Sequence, residues 1–251
     1  MAKKFTHLYI GAVIDSGGGK CLKKLRVEKE IVLPDSGVDP VTREITDSWE
    51  QIAIAISSGV YSTRYAVGDT KKMTVADGTT PTMQIVAFDA DDKADGSGKA
   101  AISWVSKGFV AYRQMNSTKT NANGWVASEM RTWLRNTYYS LLPVVVSNGI
   151  VEVEKTYYDN TIQSTLKCND TVWIPSKYEI SATGEESGVD YTGIYNSAAA
   201  RKKGYQWWLR TATSNTGSTN SSYWVYVNTS GGTAQTAPAT SQYGVVLGFC
   251  M

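Results

Sequence analysis

Four aspartates lie close together in one loop of the sequence, and carboxylates at this spacing could hold a metal ion. They fall within seven residues and lead into a Gly-rich turn: Asp89, Asp91, Asp92 and Asp95. Clustered carboxylate oxygens are the ligands that calcium prefers, so the loop is a candidate calcium site. It departs from the EF-hand, because the twelfth position counted from Asp89 is Ala100, where that loop needs a bidentate glutamate. The alternative is a solvated acidic turn that Lys93 and Lys99 partly neutralise.

Side chains suited to nucleophilic or acid–base catalysis are few. The three cysteines, Cys21, Cys168 and Cys250, are far apart and form no Cys-x-x-Cys pair, and His7 is the single histidine. A zinc ribbon, a disulfide-stapled secreted fold and a histidine-based triad are therefore not expected. Two carboxylate pairs fall in a polar loop and on one strand face, where we expect solvent contact: Glu185/Glu186 and Glu152/Glu154. The sequence predicts no catalytic residue.

The overall composition excludes several classes of protein. The 251 residues contain 25 Lys and Arg against 23 Asp and Glu, which gives a formal net charge of +2. Nucleic-acid binding requires a basic surface, so we do not expect a nucleic-acid partner. No apolar run approaches the length of a membrane span, and the first residues lack the features of a signal peptide. We therefore expect a protein that is made in a cytosol and does not insert in a membrane.

The segment that follows Arg210 contains no charged side chain. It contains no Asp, Glu, Lys or Arg, and residues 211–243 are rich in Thr, Ser, Asn, Gly and Tyr. A disordered polar tail would have this composition. However, tryptophans and the apolar segment 245–249 bracket it, which favours ordered loops.

These loops are the candidate ligand-binding surface. Tyrosine supplies contact area at low entropic cost, and Ser, Gly and Asn supply adaptable hydrogen bonds. Among the tryptophans, Trp224 is expected to be exposed or half-exposed, whereas Trp104, Trp125, Trp133, Trp173, Trp207 and Trp208 are expected in the core. The candidate ligand contacts are Asn215, Ser218, Asn220, Ser222, Tyr223, Trp224, Tyr226, Asn228, Thr229, Thr233, Gln235, Ser241 and Tyr243.

Local patterns indicate an α+β domain of short helices and many short antiparallel strands. A capping box at Ser48 predicts a helix that Gly59 ends, and a second capping box begins at Ser176. Apolar residues at helical spacing from Met130 to Leu141 predict the other main helix, which Pro143 terminates. Strands are predicted at residues 83–88, 101–105, 151–157, 207–211, 223–228 and 244–249.

Residues 1–46 differ from the remainder and predict a separate N-terminal arm. Residues 5–14 and 22–33 are strand-like and are joined by a Gly-rich connection. An isolated hairpin is marginally stable in water, so the arm should pair with a neighbour, either the main domain or another subunit. We therefore predict an arm for attachment or oligomerisation at residues 1–46 and one domain at residues 47–251.

An ordered series of motifs resembles an uncharacterised domain family of gut bacteria and their bacteriophages, whose fold is similar to that of C-type lectins. The resemblance covers roughly residues 48–251. The motifs are Ser48-Trp-Glu-Gln-Ile52, Tyr65-x-Val-Gly-Asp-Thr-Lys71, Met83-Gln-Ile-Val-Ala-Phe-Asp89, Arg113-Gln-Met-Asn116, Gly124-Trp with Ser128-Glu-Met-Arg131, Trp173-Ile-Pro-Ser176, Trp207-Trp-Leu-Arg210 and Gly244-Val-x-x-Gly-Phe-Cys250.

This resemblance implies a C-type lectin-like domain that binds a ligand near its C-terminus. The ending is similar to that of the variable proteins of diversity-generating retroelements, which present a hypervariable binding surface there. The calcium-dependent sugar-binding signatures Glu-Pro-Asn, Gln-Pro-Asp and Trp-Asn-Asp are absent. The formylglycine-generating oxidases share this kind of fold and use paired cysteines, for which Cys168 and Cys250 would be the candidates. A buried Cys250 is the alternative that we favour.

The expected function is that of a bacteriophage virion protein which binds the host surface. It would be assembled in the host cytoplasm, exposed on the particle as a homo-oligomer, and attached to other virion proteins through the arm. Its ligand would be a host cell-surface protein or polysaccharide, with no cofactor beyond the candidate calcium. Two alternatives stay open: a structural capsid or tail decoration without a receptor, and a bacterial or prophage protein with an unknown ligand or enzymatic role.

Overall fold

Two five-stranded sheets organise the chain in the computed structural model, which describes residues 42–184, 186–213 and 222–251. Within these residues the strands are β1 (Thr70–Lys72), β2 (Thr82–Phe88), β3 (Ile102–Ser106), β4 (Ala111–Arg113), β5 (Val153–Asp159), β6 (Ser164–Asp170), β7 (Val172–Trp173), β8 (Trp207–Ala212), β9 (Tyr223–Val227), β10 (Gln235–Pro238), β11 (Tyr243–Val245) and β12 (Gly248–Cys250).

The first sheet has the order β1-β2-β3-β12-β7 and the second has the order β10-β9-β8-β11-β4. Strands β5 and β6 form a separate antiparallel hairpin. Neighbouring strands are antiparallel except for β8 and β11, which pair in parallel.

Short helices connect and cover these sheets. The α-helices of the described residues are α1 (Trp49–Ser57), α2 (Tyr61–Arg64), α3 (Glu129–Trp133), α4 (Val144–Gly149), α5 (Lys177–Ser181) and α6 (Ala198–Arg201). The mixed α+β class predicted from the sequence is confirmed. None of the helices in the described part of the chain combines the length and the apolar character that crossing a bilayer requires.

The capping boxes at Ser48 and Ser176 both form as predicted. The Ser48 hydroxyl accepts a hydrogen bond from the backbone N–H of Gln51, and the Gln51 side chain accepts one from the N–H of Ser48. Helix α1 buries Trp49, Ile52 and Ala55 and ends at Ser57, two residues before Gly59. Helix α5 has the same reciprocal bonds between Ser176 and Glu179. Because a capping box uses only neighbouring residues, the sequence suffices to predict it.

The second main helix is less regular than its periodicity predicts. Helix α3 continues as a π-helical turn over Leu134–Tyr138 and a 3-10 turn over Tyr139–Leu141. Leu142 is extended, as expected before a proline, so the helical segment ends where predicted. Helix α4 then begins directly after Pro143 and was not predicted.

The closing segment is two strands rather than one. The prediction of a single strand at residues 244–249 is wrong, because β11 pairs with β4 and β8 in the second sheet whereas β12 pairs with β3 and β7 in the first. The intervening Leu247 donates its backbone N–H to the Ser106 hydroxyl at 3.0 Å. The last ten residues therefore join the two sheets.

Most tryptophans lie in the core as expected, but the prediction for Trp224 is wrong. This residue has no exposed surface, and its indole N–H donates to the carbonyl of Thr120 at 3.2 Å. The segment at residues 120 and 121 packs against β9 at this point, since Asn121 also donates to the carbonyl of Tyr223 at 2.9 Å. Trp133 is half-buried, and the other tryptophans predicted for the core are fully buried.

The N-terminal arm lies outside the described residues except for its last positions. The N–H of Ile45 donates to the carbonyl of Thr70 at 2.7 Å, and the N–H of Thr70 donates to the carbonyl of Arg43 at 2.8 Å. Ile45 is buried. Residues 43–45 thus run beside β1, and the arm proper stays a prediction.

Candidate ligand-binding surface

The second sheet brings together two of the predicted ligand contacts, Tyr226 and Tyr243. These residues lie on β9 and β11, the strands on either side of β8. Their ring centroids are 4.8 Å apart, and both rings contact Trp208 of β8, at 6.4 and 4.6 Å. Trp208 is fully buried, so it supports the two half-buried tyrosines from below.

Three residues that the sequence did not single out extend this pair. The ring of Tyr205 lies 6.4 Å from that of Tyr243, the ring of Tyr112 lies 5.7 Å from Tyr205, and Phe109 lies 5.3 Å from Tyr112. Tyr112 is 58% exposed and Tyr205 is 44% exposed. We call the five residues Phe109, Tyr112, Tyr205, Tyr243 and Tyr226 the aromatic strip.

The sequence carried only a weak signal for the new members of the aromatic strip. Tyr112 lies in the edge strand β4 and Phe109 lies just before it. Both are more than 90 positions from Tyr205 along the chain. Neither segment shares the charge-free composition that marked residues 211–243. Only the pairing of β11 with both β4 and β8 brings them beside Tyr243.

The other predicted contacts have mixed placements. Thr229 and Gln235 are exposed, and Ser222, Tyr223, Thr233 and Ser241 are half-buried. Asn228 stabilises its own turn, because its side-chain oxygen accepts from the N–H groups of Ser230 and Gly232. The contacts that lie outside the described residues are Asn215, Ser218 and Asn220.

Two buried polar atoms beside the aromatic strip have no hydrogen-bond partner in the described structure. They are Nε of Arg113 and Oε1 of Gln206. Arg113 is the cross-strand partner of Tyr243, and its guanidinium carbon lies 4.5 Å from the ring centre of Trp133. Gln206 follows Tyr205 and accepts the N–H of Gly244 at its backbone carbonyl.

The four aspartates of the candidate calcium site have separate partners. Asp92 pairs with Lys99 at 2.6 Å, Asp89 accepts from the Tyr61 hydroxyl at 2.5 Å, and Asp95 accepts from the N–H of Ser97 at 2.9 Å. The fourth, Asp91, is fully buried. Within the described ranges no group of three or more His, Cys, Asp and Glu side chains is placed to hold a metal ion.

Asp91 belongs instead to a buried ionic cluster, which comprises Asp91, Lys155, Glu179 and Arg210. Nζ of Lys155 lies 2.5 Å from Oδ1 of Asp91 and 3.0 Å from Oε1 of Glu179. Arg210 donates two bonds to the Glu179 carboxylate, at 2.6 and 2.8 Å. The cluster connects β5, α5, β8 and the loop after β2.

Neighbouring charges keep the ionic cluster ionised. Burial acts to raise the pKa of Asp91, but Lys155 and the hydroxyls of Ser103 and Tyr191 outweigh it and hold the pKa below its ordinary value. Burial likewise opposes ionisation of Glu179, and Arg210 and Lys155 lower its pKa in the same way. The two cations and two carboxylates therefore balance one another inside the fold.

The two cysteine thiols within the described residues, those of Cys168 and Cys250, are protonated near neutral pH. Burial raises the pKa of Cys168 to about 12, with a further contribution from the charge of Asp170. Burial and the charge of Asp91 raise the pKa of Cys250 well above its ordinary value, and its sulfur lies 3.3 Å from Oδ2 of Asp91. Since the thiolate is the nucleophile, both residues are poor nucleophiles.

The expectation of solvent contact is wrong for Glu186. This residue is 2% exposed, and burial raises its pKa to about 7. Glu185, the other member of that predicted pair, lies outside the described residues. The pair Glu152/Glu154 lies at the surface, because Glu152 is exposed and Glu154 pairs with the exposed Lys167 at 2.5 Å. An open cleft of about 380 Å³ lies beside Glu152, and its lining includes no residue of the aromatic strip.

Comparison with known proteins assigns most of the chain to a family. Residues 99–251 match the model of a family described as a domain of unknown function, DUF6273. The chain belongs to this family. The DUF6273 region contains the whole aromatic strip and every member of the ionic cluster except Asp91. No curated protein and no solved structure matches the chain.

Proposed function

We propose that this chain is a non-enzymatic ligand-binding module that bacteriophage particles display to bind the host surface. The observation that carries the binding role is the aromatic strip. Partly exposed rings contact one another in a continuous series, and strands rather than mobile loops hold most of them. Such aromatic side chains dominate the energetics of recognition surfaces when they are held in place.

The neighbourhood of the strip supports binding rather than chemistry. The charge-free loops next to it offer hydroxyl and amide groups, and no residue after Arg210 is ionisable as an acid or base except the tyrosines, Cys250 and the C-terminus. The two described cysteines are protonated and partly or fully buried. The ionic cluster is buried, and its charges are paired within the fold.

The particle context rests on the resemblance to a domain of gut bacteria and their bacteriophages. In this proposal the fold is C-type lectin-like, and the N-terminal arm attaches the module to other virion proteins or to its own copies. Repeated copies on one particle would convert weak single contacts into strong attachment. The host partner is a cell-surface protein or polysaccharide, and the module needs no cofactor.

The test is adsorption of the purified full chain to a panel of gut bacterial cells. We expect saturable adsorption to some strains, and a loss of at least tenfold in affinity when Tyr223, Tyr226 and Tyr243 are replaced by Ala. Tyr178→Ala is the matched control, because Tyr178 is a half-buried tyrosine outside the strip. Unchanged adsorption by the triple variant would overturn the binding role of this face.

The virion role has a separate test. Phage particles whose genome encodes the chain are purified and analysed by mass spectrometry. We expect the chain to be present as a stoichiometric component of these particles. If the particles contain the chain but the purified chain binds no cell, the structural decoration alternative is favoured. Its absence from particles would favour the bacterial alternative.

A further inference from the structure

We propose that Lys155 and Asp91 condense into an intramolecular isopeptide bond, which joins the lysine of β5 to the loop after β2. This inference is independent of the binding role of the aromatic strip. Four observations support it: the contact between the two groups, their burial, the donors at the second oxygen of Asp91, and a further carboxylate beside the amine.

The two reacting groups are in direct contact. Nζ of Lys155 lies 2.5 Å from Oδ1 of Asp91, so the amine is next to the carboxyl carbon that it attacks. Two neighbours hold the lysine there, because the Trp173 ring centre lies 3.6 Å from Nζ and the Tyr191 hydroxyl accepts from Nζ at 2.9 Å. Groups held in contact react as if each were present at a very high local concentration.

Burial favours the joint loss of both charges. Lys155 is 2% exposed and Asp91 has no exposed surface. Burial disfavours the charged form of each group, so each is charged only because the other lies beside it. Condensation removes one positive and one negative charge together. Arg210 and Glu179 then remain as a balanced pair with two hydrogen bonds, so no buried charge is left without a partner.

The second oxygen of Asp91, Oδ2, lies among hydrogen-bond donors. It accepts from the hydroxyls of Ser103 at 2.5 Å and Tyr191 at 2.6 Å, and the sulfur of Cys250 lies 3.3 Å from it. Donors fixed at this oxygen stabilise the negative charge that it gains when an amine adds to the carboxyl carbon. Oδ1, which contacts Lys155, is therefore the oxygen that leaves.

Glu179 is placed to act as the base. Its Oε1 lies 3.0 Å from Nζ of Lys155, within reach of a proton on the nitrogen. Its carboxylate also accepts two bonds from Arg210 and one from the backbone N–H of Ser176, and these contacts keep it charged. A carboxylate that stays charged resists the addition of an amine. Asp91, whose one ion pair among the described residues is with Lys155, is therefore the acceptor.

The reaction balances without an oxidant or a co-reactant. Lys155 first passes one proton from Nζ to Oδ1 of Asp91, which leaves a neutral amine beside a carboxylic acid. The lone pair of the nitrogen then forms a bond to Cγ, and the electron pair of the C=O bond moves to Oδ2. Glu179 takes a second proton from the nitrogen and delivers it to Oδ1. The C=O bond re-forms, the bond from Cγ to Oδ1 breaks, and Oδ1 leaves as water.

Mass spectrometry of the purified full chain tests the proposal. We expect the intact mass to be lower than the sequence mass by one water molecule. Asp77-Gly78 and Asp95-Gly96 can also lose water by forming a cyclic imide, so the bond is located after tryptic digestion. Because trypsin does not cleave after an acylated lysine, we expect residues 73–93 joined to residues 136–167. Fragment ions should place the link on Asp91 and Lys155.

The same digest contains an internal control. Lys99 contacts Asp92 at 2.6 Å, but both side chains are exposed to water, so we expect no link between them and normal cleavage after Lys99. Glu179→Gln removes the base and should lower the cross-linked fraction about tenfold or more. Release of residues 73–93, 136–155 and 156–167 as separate peptides of full mass from the wild type would overturn the proposal. A link from Lys155 to Glu179 would overturn the assignment of Asp91.

Discussion

At the scale of single residues, Lys155 is the side chain on which the buried charge balance depends. Its ammonium group contacts Asp91, Glu179 and the hydroxyl of Tyr191, and it lies 3.6 Å from the centre of the Trp173 ring. The sequence indicated none of this, because Asp91 looked like one member of an acidic surface loop. Burial of Asp91 depends on partners that lie 64 and 88 residues further along the chain, at Lys155 and Glu179.

Replacing Lys155 by Met should destabilise the fold strongly. The change leaves Asp91 without a compensating charge and removes one of the three bonds that cations donate to Glu179, and breaking a buried pair in this way costs about 3–5 kcal/mol. Urea unfolding measures the change in the free energy of unfolding. The control is Lys167→Met, which breaks an exposed pair with Glu154 and should cost less than about 1 kcal/mol. Equal effects of the two variants would contradict the account.

Glu186 should make stability depend on pH between about 4.5 and 7. Its pKa is about 7 in the folded protein against an ordinary value of 4.5. The folded state therefore binds the proton more tightly, so stability is fully present below the unfolded pKa and is lost as the pH rises through the folded pKa. The total loss is about 3 kcal/mol by linkage.

The measurement is the free energy of unfolding of the wild type and of Glu186→Gln at several pH values. The difference between the two proteins should favour the wild type progressively less as the pH rises from 4.5 to 7, and then stay constant. Other titrating groups cancel in this difference. A difference that does not change with pH would show that Glu186 has the same pKa in the folded and unfolded protein, which would contradict this prediction.

At the scale of elements, local signals were predictable and long-range pairings were not. The capping boxes at Ser48 and Ser176 and the helix end before Pro143 depend on neighbours in the chain, and all three form. The division of the closing segment between two sheets depends on β3, β4 and β7, which lie more than 70 residues away, and Trp224 is buried against Thr120, 104 residues away. No periodicity in the segment itself marks where it changes sheets.

Gly248 is the point at which the closing segment packs most closely. A Cβ atom there would lie 2.2 Å from Cζ3 of the buried Trp173. Gly248→Ala should therefore lower the free energy of unfolding by about 1–3 kcal/mol. Gly193→Ala is the control, because its added Cβ meets no atom within 4 Å. Thermal unfolding of both variants checks the prediction, and an unchanged Gly248→Ala protein would contradict the described contact.

At the scale of the whole molecule, the second sheet assembles a surface from three separated parts of the chain. Tyr112 comes from β4, Tyr205 precedes β8, and Tyr226 and Tyr243 come from the charge-free segment. Composition pointed to that segment, so the sequence predicted one end of the aromatic strip. The remainder required the strand order, which brings β4 beside β11.

The most direct test of the central claim is to locate the contact without any substitution. Hydroxyl-radical footprinting of the full chain, with and without surface material extracted from cells that adsorb it, reports which side chains the ligand covers. We expect protection of Tyr112, Tyr205 and Tyr243 and no protection of Tyr178. Protection confined to the cleft beside Glu152, with Tyr112 and Tyr205 as reactive as in the free chain, would contradict the account.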